Sequence, residues 1–266
     1  MATPIIIETA DDPRLEAYRF LRERDLVGRQ GRFVVEGDVV LRLMLSRSHF
    51  MLESVLLSKR RAAASPDLLT AVPEQTKLYI ADDVVLEAVT GFAIHRGVLA
   101  IGRKGEEVSL ESLLAGLPAQ VLVTVAIGMA NHDNMGGLFR NAAAFGADAV
   151  LLDATCCDPL YRKAIRVSVG AALVVPFVRR GSASTILAAL QKAGFATFGL
   201  SPSGQLALSQ VKPPARSALV LGAEGPGLPP DLMARMTILR IPMADNFDSL
   251  NVATASGIAL NHFFRP

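Results

Sequence analysis

Several stretches of this 266-residue chain hold side chains whose types and spacing could do chemistry. In NHDNMGGLFRNAAAFGAD, residues 131–148, the pattern reads as a helix with Asn134 as candidate N-cap and Gly146 as C′ terminator. Leu138, Ala142 and Phe145 form its apolar stripe, and Arg140 points roughly the other way, among Gly136, Gly137, Ala143 and Ala144. Each glycine inside a helix costs about 1 kcal/mol relative to alanine, so something must require the pair. Either a neighbouring helix packs closely there, or a bulky partner lies over this face and meets the guanidinium. In LGAEGPGLPP, residues 221–230, glycines around Glu224 follow a strand and permit close approach of a ligand to the backbone. The Lys-Ser/Thr ending of a P-loop is missing and the spacing is not that of a dinucleotide fingerprint, so a plain structural turn is the alternative. In DNFDSLNVATASGIAL, residues 245–260, Asp248, Ser249 and Asn251 stand ahead of a nearly uncharged run. On its own that reads as a buried helix with Asp248 or Ser249 as N-cap. Finally, YRKAIRVSVGA, residues 161–171, stacks Arg162, Lys163 and Arg166 on one side of a helix. Such a cluster is a solvated face or, beside a nucleic acid, a set of phosphate contacts.

The elements that must position these groups alternate regularly in the second half. AQVLVTVAIG, AVLLD, VVPFV, FATFGL, SALVLG and TILRIP are short apolar strands separated by helical stretches, including Tyr161–Val169, Ile186–Ala193 and a closing helix at Asn251–Phe264. Continuous apolar strands between helices predict an α/β fold whose parallel sheet is covered on both faces. The first hundred residues carry more charge and a mixed pattern, with FVVEG and VLLS as strands, which predicts a smaller α+β domain. The expected division is 1–105, a partly helical connector over 106–119, and 120–266.

Composition narrows the function classes. Half the residues are apolar and a fifth charged, which suits a globular protein, and the formal net charge of +2 means that any basic surface is local. The two cysteines, Cys156 and Cys157, are adjacent and have no other partner, which predicts no disulfide framework and suits a reducing cytoplasm. The start, MATPIIIETADD, lacks the pattern of a signal peptide, and no apolar run is long enough to span a bilayer. A cytoplasmic protein without a metal site or membrane partner is expected.

Three of these segments, in order and spacing, resemble the signature motifs of the SpoU (TrmH-type) branch of the SPOUT RNA methyltransferases. The first is N-x-G-x-x-x-R-x-A-x-x-F-G, carried by Asn134, Gly136, Arg140, Ala142, Phe145 and Gly146. The second is L-G-x-E-G-x-G-L, Leu221 to Leu228 with Glu224; the third is I-P-M followed by S-L-N-V, Ile241–Met243 and Ser249–Val252. The likeness covers about residues 120–264. GRFVVEG at 31–37 and HRGVLAIG at 95–102 are similar to the family's ribosomal-protein-like substrate-binding domain. The chain departs from the family at Asn131-His132-Asp133, where Asn-Pro is frequent, and at Ala223, where an Asn often follows the first glycine.

The resemblance implies 2′-O-methylation of a ribose in ribosomal or transfer RNA with S-adenosylmethionine, a homodimer through the C-terminal domain, and a C-terminal trefoil knot. It implies catalytic roles for Asn134, Arg140, Glu224, Ser249 and Asn251, with Glu224 orienting Arg140 or a loop amide. Gly222, Ile241, Met243 and Leu250 fall at cofactor-contact positions, where the backbone would do the recognition. Arg140, Arg162, Lys163 and Arg166 would contact RNA. The run from Ile241 to Asn251 would wrap the cofactor. The helix after it would lie in the knot and the dimer interface, where Ala253, Ala255, Ser256 and Gly257 permit close approach. An RNA-binding paralogue without catalysis is the alternative, against which the retained Arg140, Glu224, Ser249 and Asn251 argue. A Rossmann-type oxidoreductase is disfavoured because no early G-x-G-x-x-G is present.

Overall fold

The computed structural model describes residues 2–19, 27–28, 30–91, 94, 97–245 and 248–265. They form two compact units, Met1–Glu106 with Leu160–Val174, and Glu107–Pro159 with Val175–Pro266.

In the first unit the strands are β1 (Pro4–Ile7), β2 (Arg32–Glu36), β3 (Met51–Ser58), β4 (Lys77–Ala81) and β5 (Val98–Arg103). They form one sheet in the order β1-β4-β3-β5-β2, parallel from β1 to β3 and antiparallel from β3 to β2. FVVEG and VLLS are thus strands, as their β-branched runs predict. The helices include α1 (Asp38–Arg47), α2 (Lys59–Ala64), α3 (Pro66–Ala71) and α4 (Asp83–Thr90). One side of the sheet buries Leu56, Leu99, Ile101 and Tyr79 with Leu15 and Tyr18 from the turn of 3-10 helix Pro13–Tyr18. The basic clusters of this unit are paired rather than free. Lys59 meets Asp82 at 2.7 Å, Arg61 meets Asp38 at 2.9 Å and Arg14 meets Asp12 at 2.5 Å. Of the arginines between Arg14 and Arg32, Arg22, Arg24 and Arg29 lie outside the described residues, as do His95 and Arg96 of HRGVLAIG.

The second unit opens with α5 (Leu110–Ala115) and β6 (Val121–Ala126), followed by α6 (His132–Ala144) and β7 (Ala149–Leu152). The chain then enters the first unit through α7 (Arg162–Val167) before returning at β8 (Phe177–Arg179). Next come α8 (Ala183–Lys192), β9 (Ala196–Leu200), the two-residue β10 (Leu206–Ala207), β11 (Arg216–Leu221), α9 (Pro230–Met233), β12 (Thr237–Arg240) and α10 (Val252–Phe263). Seven parallel strands stand in the order β10-β12-β9-β11-β6-β7-β8. Their continuous apolar runs are explained by cover on both faces. On one face Val123, Val125, Leu151 and Val220 pack with Leu187 and Leu190 of α8 and with Leu110 and Leu114 of α5. These last two leucines correct the expected connector: 106–119 holds a helix that belongs to the core of the second unit. Likewise 160–174, expected within the C-terminal domain, folds into the first unit, where Gly170 sits so close to Leu43 and Val40 that a Cβ would lie 2.9 Å from Leu43.

On the other face α6 and α10 cross in close contact. A Cβ at Gly137 would lie 2.6 Å from the Cβ of Ala253, and Asn141 Nδ2 donates to the Ala253 carbonyl (2.6 Å) and to Ser256 Oγ (2.9 Å). Close helix packing therefore accounts for Gly137. It also accounts for Gly257, whose open side faces Asn141 of the same chain.

Two tests follow from this packing. Gly137→Ala gains about 1 kcal/mol of helix propensity but overpacks the crossing, at a cost of about 1–3 kcal/mol. The expected outcome is a lower Tm by calorimetry; an unchanged or higher Tm would mean that the helices separate freely. In the first unit, burial alone would push the Glu53 carboxyl up, but bonds from Arg32 (2.7 and 2.9 Å) and Arg103 (2.7 Å) hold it below its ordinary value of 4.5. A carboxylate with a lowered folded pKa stabilises fully above its unfolded pKa and loses that contribution as pH falls through the folded one. The stability gap between the parent and Glu53→Gln, read by urea denaturation, should therefore shrink as pH falls from neutrality through the carboxylate range. A gap independent of pH would contradict the pairing.

Candidate functional site

The carboxyl ends of β6, β9, β11 and β12 all open on the same edge of the parallel sheet. The chain runs outward from β6 to β8 and then returns to the other side of β6, so β6 and β11 flank the point where strand order reverses. In open α/β sheets that edge is where ligands bind.

At the end of β6, Asn131 caps α6: its Oδ1 accepts from the amides of Asp133 (2.8 Å) and Asn134 (3.3 Å). The cap is thus three residues earlier than the sequence reading placed it, and Asn134 is freed for another task. Only 4% exposed, Asn134 donates from Nδ2 to Glu224 Oε2 (2.9 Å) and accepts at Oδ1 from Asn251 Nδ2 (2.8 Å). Asn251 in turn caps α10, its Oδ1 accepting from Ala253 N (2.9 Å) and Thr254 N (3.3 Å). Neither Asp248 nor Ser249 is that cap. One side-chain amide therefore joins the helix after β6, the glycine loop after β11 and the segment after β12. Gly146, at φ +63°, ends α6 in the left-handed conformation expected of it.

The glycine loop is folded tightly on itself. Gly227 N donates to the Ala223 carbonyl (3.0 Å), Gly225 and Gly227 take φ of +90° and +69°, and a Cβ on Gly222 would overlap the backbone of Gly227. Only glycine fits at Gly222. Beside this loop lies a cavity of about 320 Å³, within the ~300–1,000 Å³ typical of small-molecule sites. Gly222, Ile241, Met243 and Leu250, the four residues at the expected cofactor positions, all line it. So do Glu224, Ser249 and Asn251. Ile241 and Leu250 are half-buried in its wall rather than ordinary core. Asn246 and Phe247, within the segment expected to wrap the cofactor, lie outside the described residues.

The sequence reading missed Leu200, Ser201 and Pro202, which complete the cavity from the end of β9. Their signal was positional: they follow a parallel strand at the same carboxyl edge.

Arg140 stands apart from this cavity. It is exposed, and no hydrogen bond or ion pair joins it to another described residue. Glu224, expected to orient Arg140 or a loop amide, instead accepts from the side chain of Asn134. On α7, Arg162 Nε lies 3.2 Å from Glu36 Oε2 and Arg166 lies 3.8 Å from the same oxygen, so the two arginines share a carboxylate within the first unit. Lys163 is exposed and also has a partner.

Neither cysteine is held in the thiolate form that nucleophilic attack needs. Burial pushes the Cys156 thiol up to about 12, helped by its bond to Asp153 Oδ1 (3.1 Å), and burial pushes Cys157 up to about 11. Cys156 and Asp153 serve the loop before α6, accepting from Met129 N (3.3 Å) and Gly128 N (3.0 Å). Among the described residues no group of His, Cys, Asp and Glu could hold a metal ion, and no helix is long and apolar enough to cross a membrane.

The cavity has an apolar wall of Leu200, Ile241, Met243 and Leu250 and a polar rim of Glu224, Ser249 and Asn251, and similarity to known proteins says what such a site serves. The chain is 39% identical over 259 residues to a Mycobacterium tuberculosis protein named as an uncharacterized tRNA/rRNA methyltransferase, covering 94% of this chain and 88% of that one. It is 30% identical over 238 residues to the Escherichia coli 23S rRNA (guanosine-2′-O-)-methyltransferase, covering 85% and 96%. The fold matches that of an AdoMet-bound rRNA methyltransferase from Sinorhizobium meliloti with a TM-score of 0.82 at 19% identity, over 97% of each chain. The SpoU rRNA Methylase family matches residues 121–261, the span that contains α6, the glycine loop and the segment after β12. The chain belongs to the SpoU rRNA methylase family.

Proposed function

We propose that the protein transfers a methyl group from S-adenosylmethionine to the 2′-oxygen of a ribose in ribosomal or transfer RNA. The observation that carries this reading is the junction at Asn134, which gathers three distant segments beside one cavity. That cavity suits the cofactor: it is about 320 Å³, and the tightly folded glycine loop at Gly222 forms one wall of it. Gly222, Ile241, Met243 and Leu250 would hold it. When bound, S-adenosylmethionine supplies a methyl group already activated on sulfur.

The chain's own residues must then align the ribose oxygen and stabilise the charge that grows on it. Arg140 is suited to that. A guanidinium stays protonated, so it is a poor free base, but its planar fork can hold a phosphate at two points and stabilise an oxyanion. A phosphate oxygen of the substrate takes the hydroxyl proton. Asn134 holds Glu224 and Asn251 in place, and Ser249 presents a hydroxyl at the cavity rim.

The same reading includes a cytoplasmic homodimer through the C-terminal unit, supported by Ile258 (40% exposed) and Phe264 (41% exposed) at α10. It also includes the knot, supported by the return of the last helix, α10, against α6. The first unit serves as the RNA-binding domain. A fragment tested for cofactor binding should not begin after α5, because Leu110 and Leu114 belong to the second core; the full chain is the better object.

The test is Arg140→Ala. With no partner to orphan among the described residues, the change should leave Tm and cofactor affinity near parental and lower the single-turnover rate about 10²–10³-fold. Arg140→Lys should rescue little, because an ammonium cannot reproduce the two-point grip. RNA with hydrogen in place of the target 2′-OH should not turn over. Near-parental rates for Arg140→Ala would remove this residue from the mechanism, and an inactive parent that still binds RNA would favour the non-catalytic paralogue.

A further inference from the structure

The first unit contains a cavity of about 440 Å³ that the site described above does not use. Its lining is polar and basic. Arg14, Arg19, Arg32 and Lys77 face it, with Glu16 and Glu53 as the acidic members and Pro13 and Ala17 as a small apolar floor. Among the described lining residues the one large ring is that of Tyr79.

The charges do not cancel. Arg32 and Arg103 both bind Glu53, so two guanidiniums share one carboxylate. Arg19 is oriented by the carbonyl oxygens of Ala10 (2.6 Å) and Asp12 (3.2 Å) and lies 3.8 Å from Glu16, so the surplus rests on the Arg32–Arg103–Glu53 group and on Lys77. Lys77 is exposed and has no partner among the described residues.

Tyr79 supplies the second, independent observation. A buried tyrosine ordinarily finds a partner for its hydroxyl, as Tyr18 of the same core does with Ser54 Oγ at 2.8 Å. Tyr79 is only 3% exposed and lines the cavity, yet its hydroxyl has no partner among the described residues. Burial pushes its phenol up, so at neutral pH it stays a donor. The hydroxyl is open to the cavity rather than sealed in the core, and the cations around it call for an anionic acceptor.

We propose that this cavity binds one nucleotide of the RNA substrate, with a phosphate oxygen accepting from the Tyr79 hydroxyl and Lys77, and the sugar and base lying over Pro13 and Ala17. The cavity exceeds what a bare phosphate needs, which is why a whole nucleotide is the fitting ligand. This makes it a selectivity subsite distinct from the reacting cavity, and it rests on the RNA methyltransferase reading above. Free mononucleotides share the same chemistry, so the test separates the two sources.

The test uses the full chain, with Tyr79→Phe, which removes only the hydroxyl, and Lys77→Gln. Binding of a fluorescent single-stranded RNA of about ten nucleotides, read by anisotropy across a salt series, should weaken about three- to tenfold in each variant, and Lys77→Gln should lower the salt slope by about one. With RNA from cells lacking the gene, KM for RNA should rise by the same factor. The kcat and the affinity for S-adenosylmethionine should not change, a split that a merely structural role for Tyr79 would not produce. Oligomer binding and KM unchanged in both variants would overturn the proposal. Loss of binding to a mixture of AMP, GMP, CMP and UMP with the oligomer unaffected would overturn the RNA assignment in favour of a free nucleotide. A parent that methylates no RNA would overturn the functional reading itself and this inference with it, whereas an active parent with indifferent variants would overturn only the inference.

Discussion

The buried side-chain amide of Asn134 is satisfied only when two loops, 90 and 117 residues further along the chain, are both in place. A buried amide left without partners costs about 1–3 kcal/mol, so the loops and the helix are coupled energetically as well as spatially. The cavity beside Glu224 and Asn251 exists because of this coupling. Its walls come from loops, which would otherwise be among the more mobile parts of a domain. Asn251 adds a second constraint, since the same side chain caps α10 while its amide nitrogen reaches Asn134. The position of the last helix and the shape of the cavity are therefore set by one residue.

The rest of the second unit serves this junction. The parallel strands bring four loops to one edge, and the switch of direction at β6 and β11 leaves a crevice there. Behind the crevice, the contact of Gly137 with Ala253 and the bonds of Asn141 to α10 fix the crossing of α6 and α10. Because Asn134 and Arg140 lie on the same helix, that crossing also sets where the unpaired guanidinium stands. Among the described residues it has no ion pair, which is consistent with a group whose partner arrives with the substrate.

Much of this was legible in the sequence where a local signal was strong. Six apolar strands of the second sheet were readable because burial on both faces removes the polar alternation, and the motifs singled out Gly222, Ile241, Met243 and Leu250, which line one cavity. The caps were not. Asn131, Asn134, Ser249 and Asn251 are all competent N-cap residues, and only tertiary geometry decides which of them caps and which is released to bridge loops. The excursion through 160–174 was hidden for a similar reason: a helix with an apolar side does not state which core receives it. Gly257 was expected to permit close approach, and the group that approaches it within the chain is Asn141, which the spacing of residues on one helix does not name.

The most direct measurement of the central claim is a double-mutant cycle between Asn134 and Glu224, read by calorimetry of S-adenosylmethionine binding to Asn134→Ala, Glu224→Ala and the double variant. If the amide junction builds the cavity, the two changes should not add. The second should cost little once the first is made, with a coupling energy of about 1 kcal/mol or more. Strictly additive losses, or cofactor affinity untouched by either change, would show that the cavity forms without the junction and would contradict the account.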